Sequence, residues 1–175
     1  SKANKREEKN EYSYMNAQGQ ALDVIRGYVC EGFFTQEDVD NMKANLEKTD
    51  PKFVPNHTFG EIKAGDLKYK DINGDGKIDS NDQQVMGKYG WSATPFFYGV
   101  NITLNWKQFT LFIAGTGQMG AKAFKSNDWI YNQKKYTSVV RRRWTPETAA
   151  TATYPRLTAK DNTNNFRNSN FWIYS

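Results

Sequence analysis

From Phe96 to Trp106 the even positions are Phe96, Tyr98, Val100, Ile102, Leu104 and Trp106, while the odd ones after Phe97 are Gly99, Asn101, Thr103 and Asn105. This period of two over 96–106 predicts a strand with one apolar face. After Lys107 and Gln108 the alternation resumes at Phe109, Leu111 and Ile113. A two-residue turn would set Trp106 opposite Phe109, Leu104 opposite Leu111 and Ile102 opposite Ile113, so that one apolar face runs across both strands. Lys-Gln lacks the Gly or Asn that such a turn prefers, which leaves a slightly longer turn open. Strands at 96–106 and 109–117 have the length of a tilted transmembrane β-strand, with the aromatics beside the turn at the membrane boundary. Periodicity alone fits a soluble sandwich hairpin equally well.

The rest of the chain is less regular. Residues 22–34 (LDVIRGYVCEGFF) are rich in Val, Ile, Tyr and Phe and predict a strand, with imperfect alternation. Thr35 followed by Asp38 resembles a capping box, and Val39, Met42 and Leu46 then form one apolar stripe. Asp50-Pro51 stops it, so a short helix is predicted over 36–48. Residues 51–65 read as loop, and Asp66 to Lys70 as extended chain. Between Gly117 and Phe171 no alternation is sustained. A structureless stretch of that length is unusual in a compact domain, whereas outer-membrane barrels combine long outer loops with short periplasmic turns.

Composition narrows the class. Aromatics make up 15% of the 175 residues against 38% hydrophobic in all, a balance that favours β-structure over a helical bundle. There is no run of about 18 apolar residues, so no transmembrane helix is expected. Residues 1–11 are charged and do not read as a signal peptide. The net charge of +5 gathers at Lys2 to Lys9 and at Lys134, Lys135 and Arg141 to Arg143, which read as solvated loops with no nucleic-acid module around them. Cys30 and His57 are each the single residue of their kind, which excludes an intrachain disulfide and a thiolate cluster. No G-x-S-x-G, H-E-x-x-H or P-loop occurs, and no enzyme is expected.

One segment carries chemistry. Residues 71–82 read DINGDGKIDSND, which places Asp71, Asn73, Asp75, Asp79 and Asp82 at positions 1, 3, 5, 9 and 12 of an EF-hand loop. Gly76 at position 6 permits the sharp turn, Lys77 at position 7 would offer its carbonyl, and Ile78 at position 8 should point into a core. Ca²⁺ takes six to eight hard oxygens, and four carboxylates in one loop repel without a cation. Asp at position 12 reaches less well than Glu as a bidentate ligand. The flanks do not read as a helix pair, so the loop is expected to be a structural Ca²⁺ clip in β-context.

The run Gly65-Asp66-Leu67-Lys68-Tyr69-Lys70-Asp71-Ile72-Asn73-Gly74-Asp75-Gly76-Lys77-Ile78-Asp79-Ser80-Asn81-Asp82 resembles a "GDIKYKDxNGDGxIDxND" stretch of SusC/RagA-family TonB-linked outer-membrane proteins. Met86-Gly87, Tyr98 to Asn101, Trp106 to Phe109, Arg143 to Glu147, Tyr154 to Leu157 and Asn170 to Ile173 resemble further landmarks of that family, in the same order. The resemblance covers roughly residue 25 to the end. It implies a mainly β fold, a partial transmembrane β-barrel from the C-terminal part of the wall, with Asn170 to Ile173 opening a further wall strand. The family's plug, TonB-contacting segment and final strands have no counterpart here. It also implies a role in TonB-dependent import of glycans, peptides or other large nutrients with a SusD-like surface lipoprotein, in the outer membrane of a Gram-negative bacterium. The Lys107-Gln108 turn would then be periplasmic, and loops 35–94 and 118–170 extracellular, where millimolar Ca²⁺ suits weak sites. The competing expectation is a secreted, calcium-stabilised β-rich binding or adhesion module; a dockerin-like one would carry two such loops, and only one is present.

Overall fold

The structure, a computed structural model, describes residues 9–89, 96–125, 137–158 and 163–174. Lys134, Lys135 and nearly all of the basic stretch from Lys2 lie outside them. The fold is mainly β, and the described strands do not close into a barrel. They form two-stranded pairs. β1 (Val24–Gly27) pairs antiparallel with β6 (Gln84–Lys88), and β2 (Cys30–Phe33) antiparallel with β4 (Leu67–Tyr69). β3 (Asn56–His57) pairs parallel with β5 (Lys77–Ile78). β7 (Phe96–Trp106) and β8 (Phe109–Met119) make the long hairpin, and β9 (Ala123–Phe124) pairs with β10 (Ile173–Tyr174).

The hairpin has the predicted register: Trp106 faces Phe109, Leu104 faces Leu111 and Ile102 faces Ile113. β8 runs two residues beyond its expected end at 117. The turn stays at Lys107-Gln108 by placing Lys107 at φ 53°, in the left-handed region where a Cβ is unfavourable. The Lys107 ammonium lies 5.1 Å from the Trp106 ring centroid, a cation–π contact that favours this conformation.

The expected strand over 22–34 is two strands in two different sheets. The chain changes partners at Tyr28, whose N–H donates to the Asn168 carbonyl at 2.8 Å while its own carbonyl accepts from Asn170 N–H at 3.2 Å. A distant segment thus wedges into the strand, which explains the broken alternation. The expected helix is also shorter, α1 (Gln36–Lys43). Thr35 and Asp38 do form the capping box. The helix ends because Asn45 adopts φ 50°, the left-handed conformation that Asn tolerates past a helix end, leaving Leu46 outside.

The stretches expected as long loops build most of the packed body. Leu67, Tyr69 and Ile78 from 35–94 and Val139 from 118–170 join Tyr28 and Trp172 in the main core. Phe34, Val39, Val54 and Ile62 form a satellite beneath α1. Strands of two or three residues carry no detectable period, so their pairing is settled by long-range packing.

Candidate functional site

The 71–82 loop folds around its own carboxylates. Asp71 accepts from Gly74 N–H (2.6 Å) and Gly76 N–H (2.7 Å), one at each oxygen. Asn73 Oδ1 accepts from Asp75 N–H at 2.9 Å, Asp75 Oδ1 from Lys77 N–H at 2.8 Å, and Asp79 Oδ1 from Asn81 N–H at 2.7 Å. These are Asx-type turns, in which a short polar side chain fixes the backbone two or more residues on. Gly76 sits at φ 88°, and a Cβ there would stand 2.5 Å from Lys48 Cε. Lys48 Nζ donates to the Gly74 carbonyl at 3.0 Å, laying an ammonium on the loop.

Ile78 points inward as expected and is fully buried in the main core, so the loop is anchored at its eighth position. Asp82 does something the motif did not indicate. It is fully buried, and both its oxygens serve backbone: Oδ1 accepts from Ile72 N–H at 2.9 Å and Oδ2 from Asp79 N–H at 2.9 Å. It latches the start of the loop to its end. Burial raises its carboxyl above the ordinary value, the backbone bonds opposing this and the Asp71 charge adding to it.

In type, the donors fit a hard cation. Asp71, Asn73, Asp75 and Asp79 offer oxygens, each with a second lone pair beyond the bond it accepts, and Lys77 has its carbonyl. Among the described residues no three His, Cys, Asp or Glu side chains converge as a metal-ligand group, because the carboxylates are spread around the loop's amides.

The loop hangs from a buried polar scaffold. One edge of β4 pairs with β2; the other is closed by side chains. Leu67 N–H donates to Asn165 Oδ1 at 2.7 Å, the Leu67 carbonyl accepts from Asn164 Nδ2 at 2.8 Å, and Tyr69 N–H donates to His57 Nε2 at 3.0 Å. These groups replace a neighbouring strand, as buried amides require partners. Next to them the fully buried Asp66 accepts from Asn165 Nδ2 at 2.9 Å and from Lys63 N–H at 2.9 Å, and holds Arg156, whose Nε lies 2.7 Å and Nη2 3.2 Å from its oxygens. Arg156, Asn164 and Asn165 lie 90 to 99 positions along the chain from the residues they hold, and no local pattern marks them.

His57 and Cys30 do not form a nucleophile pair. Burial drives His57 down to about 4, so the ring is neutral and spent on Tyr69 N–H; burial pushes the Cys30 thiol up to about 11. The sign for stability follows. The folded chain resists protonation of His57, so its contribution is complete above the ordinary 6.5 and lost as pH falls towards 4. Between pH 7 and pH 5 the urea unfolding free energy should fall by about 2 kcal/mol, and His57→Gln, which keeps an acceptor, should flatten that slope. An equal slope in the variant would refute the assignment.

No protein-family model matches this chain, and no curated protein matches it either.

Proposed function

We propose that this chain is part of an outer-membrane TonB-dependent importer of SusC/RagA type, taking up glycans or other large nutrients with a SusD-like surface lipoprotein. The observation that carries the reading is the β7–β8 hairpin. Every residue of β7 is exposed, including Val100 at 52%, Ile102 at 42% and Leu104 at 54%. Leu111 and Ile113 extend this aliphatic band across β8. Aromatics stand at both ends of the same face: Trp106 and Phe109 at the turn, Phe96 and Tyr98 at the other end. A soluble hairpin would cover such a face, whereas a barrel wall turns it to lipid and sets aromatic girdles at the two interfaces. Eleven residues span roughly 37 Å, enough to cross an apolar band of about 25 Å when tilted. The opposite face is mostly polar or small, with Asn101, Thr103, Asn105 and Thr110 beside the exposed aromatics Phe97 and Phe112, and would line the lumen. No described helix is long and apolar enough to cross a membrane, which says nothing of strands.

Single cysteines placed at 101, 102, 103 and 104 in a Cys30→Ser background, labelled with a polarity-sensitive dye in the bilayer-inserted protein, test this. Ile102 and Leu104 should report lipid and Asn101 and Thr103 water. Four aqueous readings would sink the wall and favour a secreted module.

In this reading the 71–82 loop is extracellular and holds Ca²⁺ through Asp71, Asn73, Asp75, Asp79 and the Lys77 carbonyl, with Asp82 closing the loop. Bound Ca²⁺ would neutralise the carboxylates and stiffen the body that meets the lid protein. Calorimetry on chelator-treated protein should give heat at millimolar Ca²⁺, and Asp75→Ala should lose it. No heat at that concentration would leave the loop as a hydrogen-bonded turn.

A further inference from the structure

A groove of about 790 Å³ opens between α1, the 61–64 segment and the chain from Trp144 to Arg156. This volume lies within the range of small-ligand sites. One helix face contributes Gln36, Val39 and Lys43, at spacings of three and four. Ile62 and Ala64 form apolar ground, and Trp144 is the one large aromatic. The Trp144 ring is held in place by Gly65, at φ 88°, where a Cβ would lie 2.5 Å from Trp144 Cε3. At the rim, Arg156 is fixed by its two contacts to buried Asp66, and among the described residues its Nη1 has no hydrogen-bond partner. Lys43 has no carboxylate partner among the described residues, while Lys63 pairs with Glu61 at 3.6 Å.

We propose that this groove binds a carboxylate-bearing saccharide, a uronate-type unit, whose C–H face lies on Trp144 and whose carboxylate meets Lys43 and Arg156. Three considerations select this class. A sugar ring has an apolar C–H face beside hydroxyl groups, matching one aromatic ring amid polar rim groups. Counting Asp66, the groove has three cations against two carboxylates, and the excess charge is carried by Lys43, unpaired among the described residues, which a neutral sugar would leave uncompensated. None of the lining residues belongs to a strand, so a peptide would find no edge to extend. The site does not depend on the hairpin being in a membrane.

The test uses the whole chain in mild detergent, with trigalacturonate, the neutral maltotriose and an apolar tripeptide with a free carboxylate as probes. Trigalacturonate should bind at least tenfold tighter than maltotriose and weaken as salt rises. Trp144→Ala should lose roughly tenfold or more. Because that variant also removes the ring packed on Gly65, Lys43→Gln on the exposed helix face is the second: it should keep the circular dichroism spectrum, bind several-fold more weakly and lose part of the salt dependence. Equal or tighter binding of maltotriose or the tripeptide, no binding of trigalacturonate, or unchanged affinity in Lys43→Gln would overturn the proposal.

Discussion

Replacing Asp66 with alanine is expected to cost about 3–5 kcal/mol of folding stability, the range for removing one partner of a buried ion pair. The carboxylate is fully buried and joins three parts of the chain: Lys63 N–H, Asn165 Nδ2 and the Arg156 guanidinium. Without it, Arg156 loses its anion and Asn165 loses the acceptor that orients it towards Leu67 N–H. The open edge of β4 would then lose its substitute strand, and the 163–174 segment its anchor. Arg156→Ala should cost less, because Asp66 keeps two other donors and Arg156 is about a quarter exposed. Urea titration monitored by circular dichroism, in detergent that shields the hairpin, measures both. A loss below about 1 kcal/mol for Asp66→Ala would mean that the hub adds little beyond ordinary hydrogen bonds.

Ile102→Lys is expected to separate water from membrane. In water the position is 42% exposed and opposite Ile113, so the substitution should shift stability by no more than about 0.5 kcal/mol. On a lipid face near the bilayer centre, the same charge should cost about 2–4 kcal/mol. Asn101→Lys, one residue away on the other face, should be tolerated in both settings. Unfolding titrations in vesicles and in detergent-free buffer give the two values. A penalty equal in both solvents would remove the lipid-facing reading, and so would a larger penalty at Asn101 than at Ile102.

Packing on the hairpin face is fitted in detail. A Cβ at Gly117 would run into the Tyr98 ring, which lies across the strand over that glycine. The Tyr98 ring thus covers backbone that Gly117 leaves bare, and the aromatic end of the hairpin face is continuous despite two glycines in β8.

Local chemistry made the hairpin, the start of α1 and a tight loop over 71–82 legible in the residues alone. Each depends on interactions a few positions apart: a period of two on either side of a short turn, a Thr35–Asp38 box, and Asx turns from Asp71 to Asn81. Even the inward direction of Ile78 follows from its place in the loop. Most of what only the tertiary structure decided depends on residues far apart. The strand over 22–34 splits because Asn168 and Asn170 bond to Tyr28. Helix α1 stops early because its last predicted apolar residue, Leu46, lies beyond the left-handed Asn45. Asp82 is a latch because burial brings Ile72 and Asp79 amides to both its oxygens. The β4 edge is closed by Asn164, Asn165 and His57, and the groove exists only where Trp144 and Arg156 come beside α1. Hydrogen bonds to buried amides are obligatory but indifferent to sequence distance, so a local pattern states that a donor needs a partner while packing chooses which one.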